Sequence, residues 1–288
     1  MLSRPVRNLG RVISEKSKAD VSLDRIRFIL DSATEDEGGA LRPSLNGDIL
    51  LKDIHFSYAG DTKEVLNGLN MKLTAGGTTG ILGATGSGKS TLMYLLDKLY
   101  LLSEDQGEIS IGGVDIRDID TAYLRNNTGF VLQEPYLFSG TLAENIAISV
   151  DEADKKLIAE AAEASMLSEA AERLDHGYDT FVGERGVTLS GGQKQRAAIA
   201  RMLIKKPQIC IFDDSLSAVD AQTDLKIRRS VAKRTKGSTV ILISHRVMTL
   251  MNADRIYVMD KGRIVEEGTH EELMKRDGVY RVIYELQT

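Results

Sequence analysis

The run Gly83-Ala84-Thr85-Gly86-Ser87-Gly88-Lys89-Ser90 restricts what this chain can fold into more than any other segment. It matches G-x-x-x-x-G-K-[ST] at every specified position. The residues before it, Thr78–Leu82, are β-branched and apolar and read as a strand; Lys89 to Tyr100 then takes on helical periodicity. A strand, a glycine loop and a helix in that order form a phosphate cradle. The glycines let backbone N–H groups converge on an anion, and the helix presents its positive end to it. Lys89 is placed to reach β- and γ-phosphates, and the Ser90 hydroxyl to ligate Mg²⁺. The rival reading, a glycine-rich turn without function, does not explain the strand-then-helix context.

A magnesium-holding loop of this type needs an acid at the end of an apolar strand. Ile209-Cys210-Ile211-Phe212-Asp213 supplies it, with a helix-capping aspartate as the structural alternative. Cys210, the single cysteine, sits inside that run and reads as a buried strand residue. The 288 residues are 42% hydrophobic and 27% charged, with a net charge of −5 and both signs interspersed. No basic face argues for a nucleic-acid partner. No apolar stretch reaches the roughly 18 residues that a membrane span requires, and the longest uncharged run, Leu73 to Gly88, is broken by glycines and threonines.

Along the chain, residues 1 to 30 show helical spacing of apolar positions at Leu2, Val6, Leu9 and Ile13, then Leu23, Ile26 and Leu30. This predicts two amphipathic helical stretches. Thr34 to Pro43 reads as a linker, and Asp48 to Tyr58 as a strand with an irregularity near Asp53-Ile54. Strands are predicted around Val65–Leu73, Gly129–Leu132, Gln208–Phe212, Thr239–Ile243 and Arg255–Met259. Helical stretches are predicted over about Tyr136 to Lys205, Ala221–Arg234 and His270–Lys275. The alternation implies a mostly parallel sheet with helices on its faces.

Leu189-Ser190-Gly191-Gly192-Gln193 then resembles the signature motif of ATP-binding cassette (ABC) proteins, lying between the phosphate loop and the Asp213 strand as that family requires. Ser190, Gly191, Gly192 and Gln193 at a helix start would make a second phosphate-binding surface. The resemblance covers essentially the whole chain. It implies an α/β fold, a P-loop NTPase (RecA-like) core with an antiparallel β subdomain and an α-helical subdomain, the ABC ATPase fold. It also implies ATP and Mg²⁺ as ligands. Tyr58 matches the aromatic that stacks on adenine, with strand-end packing on the core as the alternative. Gly83, Ala84, Thr85, Gly86, Ser87, Gly88, Lys89, Ser90 and Thr91 would hold the phosphates. Ser90, Gln133 and Asp213 would hold the metal. Asp220, in Ser217-Ala218-Val219-Asp220, matches the loop that communicates across a dimer, and His245 the histidine at the γ-phosphate.

Thr180–Gly186 and Phe138–Ile146 look like exporter segments, and Pro5 to Leu30 resembles the cytoplasmic continuation of a last transmembrane helix. The implied division is 1–33 helical remnant, 34–46 linker and 47–288 nucleotide-binding domain, its helical subdomain at about 136–205. Implied partners are a second ABC nucleotide-binding domain and transmembrane domains with their coupling helices. The expected place is the cytoplasmic face of the cell membrane, the piece itself being soluble. One position departs from the family: the catalytic glutamate after the magnesium aspartate is Asp214 here, followed by Ser215-Leu216-Ser217 instead of Ala-Thr-Ser. Asp214, Gln133 and His245 are the catalytic candidates, and the departure resembles the degenerate half of a heterodimeric exporter. A homodimeric exporter with a tolerated aspartate, and an importer ATPase, are the alternatives.

Overall fold

Leu9 to Leu30 contains no helix breaker beyond Gly10, and Pro5 sits in the first turn, where its missing N–H costs nothing. The computed structural model, which describes residues 3–32, 35, 38–61, 63–215 and 221–288, accordingly has one continuous helix here, α1 (Ser3–Leu30). This corrects the expectation of two stretches. Four of the six residues in the polar spacer Glu15 to Asp20 are good helix formers, none is a breaker, and Arg11 pairs with Glu15 one turn on. The described chain falls into two units, divided between residues 37 and 38.

In the second unit the segment expected as a linker is bound from Gly38 on. Gly39 N–H donates to Arg117 O at 2.9 Å, Leu41 N–H to Asp118 O at 3.0 Å, and Leu45 is fully buried. A side chain at Gly39 would collide with the Asp118 carbonyl, so only glycine lets the two backbones pass. Next come β1 (Ile49–Phe56), β2 (Leu66–Leu73), β3 (Thr78–Gly83) and α2 (Lys89–Leu96). The irregularity expected in β1 is present. Its pairing with β2 slips between Leu51 and Ile54, and Asp53 lies at φ 49°. A four-residue β4 (Glu108–Ile111) and a two-residue β5 (Val114–Asp115) follow, both unforeseen because they are too short for a periodic signal. They complete an antiparallel sheet of order β2-β1-β4-β5.

The chain continues through α3 (Thr121–Asn127), β6 (Thr128–Val131), α4 (Leu142–Ala147), α5 (Lys155–Ala164), α6 (Ser168–Glu172) and α7 (Gly191–Ile204). Between α6 and α7 the expected helical section gives way to turns, with Gly177, Gly183, Arg185 and Gly186 all at positive φ. A separate core of Leu137, Leu142, Ile146, Ala162, Val182 and Leu189 ties these pieces into an arm. The remainder is β7 (Ile209–Asp213), α8 (Ala221–Arg234), β8 (Thr239–Ser244), α9 (Val247–Leu250), β9 (Arg255–Asp260), β10 (Arg263–Gly268), α10 (His270–Met274) and α11 (Val279–Gln287).

The second sheet runs β10-β9-β3-β8-β7-β6, parallel throughout except for the β10–β9 pair. Its four central and inner strands are nearly all buried, which is why they read as apolar runs. Cys210 is fully buried there, and burial pushes its thiol up to about 12, so it is inert as a nucleophile. Because β6, β7, β8 and β3 are parallel neighbours, the loops that follow them emerge side by side at one sheet edge. Ligands bind at such edges in open α/β sheets. That edge carries Gln133, Asp213, Asp214, His245 and the Gly83–Ser90 loop.

Candidate functional site

At that edge the loop after β3 folds back over the start of α2. Gly88 stands at φ 102°, and a Cβ on it would lie 2.7 Å from Leu66 Cδ2 and 3.0 Å from Val65 O. The first backbone bond of α2 that closes is Leu92 N–H to Gly88 O, so the N–H groups of Lys89, Ser90 and Thr91 are left for a ligand. No side chain caps this helix start. Lys89 Nζ donates to Gly83 O at 2.8 Å, Ala84 O at 2.7 Å and Ser87 Oγ at 3.3 Å. Burial lowers its pKa, against the pull of Asp214 and Asp213. Those carbonyl bonds stand where phosphate oxygens would be better partners for an ammonium.

A cleft of about 380 Å³ opens here. Its walls bring together Thr85, Gly86, Gly88, Lys89, Ser90, Thr91, Gln133, Asp213, Asp214 and His245. Gly83 and Ser87 are buried in the loop's own floor, and Ala84 is exposed beside it. Val65 also lines the cleft, a contact that its position before β2 gave no reason to expect. Asp213 closes β7; its pKa is raised by burial and by Asp214, with Lys89 opposing. This carboxylate, sharing the cleft with the Ser90 hydroxyl and the Gln133 amide, belongs to a hard-oxygen donor set that suits Mg²⁺. Ser90, Asp213 and Gln133 therefore fit the ion, and the open N–H groups with Lys89 fit a polyphosphate.

Asp214 lies at φ 41° and is held on both oxygens. Oδ1 accepts from Ser244 Oγ at 2.7 Å and from the His245 N–H at 3.3 Å; Oδ2 accepts from His245 Nδ1 at 2.8 Å. A carboxylate only accepts, so Nδ1 carries the proton, and Nε2 is the ring nitrogen left for the cleft. Ser244 was missed in the sequence. Its one signal is a serine ending an apolar strand directly before the histidine.

Two predicted groups lie elsewhere. Tyr58 is half-buried; its ring packs edge-on against Phe56 and Tyr100, each centroid 5.1 Å away, and its hydroxyl shares a 2.8 Å hydrogen bond with Thr91 Oγ1. The Thr91 hydroxyl is thereby committed to Tyr58. Ser190, Gly191, Gly192 and Gln193 form the start of α7 and are not among the cleft's walls. Ser190 Oγ accepts from Gln193 N–H at 3.3 Å while Gln193 Oε1 accepts from Ser190 N–H at 2.7 Å, a reciprocal cap. Asp220 and the rest of Ser217–Asp220 lie outside the described residues.

Known proteins match this chain in sequence and in fold. The family model described as ABC transporter matches residues 66–217. The leukotoxin translocation ATP-binding protein LktB of Mannheimia haemolytica is 41% identical over 285 residues, covering 98% of this chain and 40% of its own length. The alpha-hemolysin translocation ATP-binding protein HlyB of Escherichia coli is 39% identical over 286 residues, covering 99% of this chain and 40% of its own. The chain thus spans about 40% of the length of the curated relatives it matches. A solved bacterial Atm1-family ABC exporter with ATP bound superposes with a TM-score of 0.88 at 36% identity, over 100% of this chain and 50% of that one. On the motif, the fold and this match, the chain belongs to the ABC transporter family and carries its ABC ATPase fold.

Proposed function

We propose that this chain is the ATP-binding part of an ABC exporter, and that its own cleft holds MgATP tightly but turns it over slowly. The observation that carries the slow site is Asp214. The residue in this place must reach an attacking water, and a general base acts only within hydrogen-bond distance of the proton it takes. The aspartate is shorter than glutamate by one methylene, roughly 1.5 Å of reach, and a misplacement of about 1 Å can cost on the order of 10²-fold in rate. Both of its oxygens are in addition engaged by Ser244 and His245.

In this reading Lys89 and the amides of Lys89–Thr91 bind the phosphates, Tyr58 packs at the adenine end, and His245 meets the terminal phosphate. Ser90, Asp213 and Gln133 hold Mg²⁺, which neutralises phosphate charge when bound. Ser190–Gln193 completes a cleft on a second, non-identical ABC chain that carries the glutamate, as Asp220 does across the same dimer interface. The separation of the α7 start from this chain's own cleft supports that role. The exposed Tyr136, Phe138 and Phe181 on the arm suit the coupling helices of transmembrane domains at the cytoplasmic face of the membrane. The names of LktB and HlyB support translocation as the process served.

The chain alone should bind ATP with little hydrolysis. Asp214→Glu should raise its turnover by about tenfold or more, and a glutamate-bearing partner should supply most of the activity of the pair. Steady-state phosphate release measures all three. Fast release by the chain alone, unchanged in Asp214→Ala, would sink the slow-site reading in favour of a homodimer that tolerates aspartate.

A further inference from the structure

His245 is held from a direction that the site's own strands do not provide. The three amides that follow β8 are all satisfied by side chains. The His245 N–H goes to Asp214, the Arg246 N–H to Ser244 Oγ at 3.0 Å, and the Val247 N–H to Gln287 Oε1 at 2.9 Å. The first two acceptors belong to the nucleotide edge. The third comes from the last residue of α11, 40 positions along the chain. Gln287 makes a second bond as well, its Nε2 donating to the carbonyl of His245 itself at 2.7 Å.

One amide thus bridges residue 245 and residue 247 in the manner of a neighbouring strand. Capping α9, whose N-cap Arg246 offers no side-chain bond, would need only the bond to Val247. The bond to the His245 carbonyl is additional, and together the two fix the peptide planes on either side of Arg246 and hence the direction from which the imidazole leaves the backbone. The helix that carries Gln287 is anchored at its far end. Tyr280 is fully buried and shares a 2.8 Å hydrogen bond with His270, and the first turn of α11 is held by Glu266, which accepts from the Val279 and Tyr280 amides at 3.1 and 2.8 Å.

We infer that Gln287 is a positioning residue for His245, through which α11 sets the discrimination between ATP and ADP in the cleft. The inference rests on the reading that His245 faces the terminal phosphate. It predicts an effect on ligands that have that phosphate and none on ligands that lack it. A residue that served only the stability of the β8–α9 turn would move both affinities together or neither.

The test is equilibrium titration of the chain with AMPPNP and with ADP, both with magnesium, alongside hydrogen exchange at the Val247 amide. Gln287→Ala should weaken AMPPNP about fivefold, the usual scale for one or two lost hydrogen bonds, leave ADP within twofold, and speed exchange at Val247. Gln287→Glu keeps the acceptor for Val247 but places a second acceptor against the His245 carbonyl. It should restore protection at Val247 without restoring the AMPPNP preference. His245→Ala marks the full effect. If His245→Ala abolishes the preference and Gln287→Ala leaves it intact, the positioning role is overturned and the site reading stands. If His245→Ala itself leaves the preference unchanged, the site reading falls and the positioning role with it.

Discussion

Gly88 and Gly191 each open a helix N-terminus, yet a methyl group would meet opposite surroundings at the two. At Gly88 it would press on Leu66 Cδ2 and Val65 O from a φ of 102°, a conformation that side chains rarely adopt. Gly88→Ala should therefore cost about 1–3 kcal/mol in thermal or urea denaturation and lose ATP binding with it. At Gly191 nothing lies within 4 Å of the added carbon. Gly191→Ala should leave stability and this chain's own ATP affinity unchanged; under the proposed pairing with a second ABC chain, phosphate release by the pair should fall about tenfold or more as the nucleotide facing α7 loses its close approach. Loss of stability in Gly191→Ala would show that the glycine serves α7 and not a ligand. At this scale the sequence was most informative where chemistry fixes both residue type and spacing. Gly83–Ser90 and Asp213 could be read because each lies at the end of an apolar strand of the same parallel sheet, and His245 because the resemblance to ABC proteins points to it. Ser244 and the double engagement of Asp214 could not, since they depend on which rotamers two adjacent loops adopt.

The arm is organised by an element contact that no local pattern announces. Arg201, on α7, donates from Nε to Asn145 O at 2.9 Å, from Nη1 to Tyr136 O at 2.8 Å and from Nη2 to Asn145 Oδ1 at 2.9 Å. Asn145, almost fully buried, passes the network on to the Phe138 and Thr141 carbonyls at 2.9 and 3.0 Å. Burial lowers the pKa of Arg201, an expense that its planar set of donors offsets by serving three acceptors at once. Arg201→Met keeps the side chain's bulk but removes the donors to the Tyr136 and Asn145 carbonyls and to the Asn145 amide oxygen, so it should cost about 1–3 kcal/mol in urea denaturation, and Arg201→Lys should recover less than half of that. Equal stability of the lysine variant and the parent would show that charge alone matters. Elements were legible in proportion to their periodicity. The buried strands of the parallel sheet stood out as apolar runs. In β10 the sequence Arg-Ile-Val-Glu-Glu-Gly is half exposed at a sheet edge and gave no such signal. The two stretches expected before residue 31 proved to be one helix because a polar spacer without glycine or proline does not interrupt a helical backbone.

Across the whole molecule, every buried apolar residue among those described lies between Leu45 and Tyr280, in clusters that line the two sheets and the arm. The described side chains of α1 are all exposed, including Leu9, Ile13, Ile26, Phe28, Ile29 and Leu30. The hydrophobic stabilisation of the second unit, which follows the apolar area removed from water, is therefore drawn from side chains within that unit. Gly38 and Leu41, by contrast, bridge to Asp120 and Ile119 and belong with the second unit. A chain cut to residues 38–288 should thus unfold cooperatively within about 3 °C of the parent, a shift that corresponds to less than roughly 1 kcal/mol at this size. It should bind ATP with unchanged affinity, because Lys89, Asp213 and His245 all hang from strands inside that unit. Moving the cut to residue 46 removes the Gly39 and Leu41 backbone bonds and the buried Leu45, and should lower the midpoint measurably. Calorimetry on the parent and the two truncations separates these cases. A large loss already at residue 38 would mean that α1 stabilises the fold, and that its apolar surface has a use within this chain.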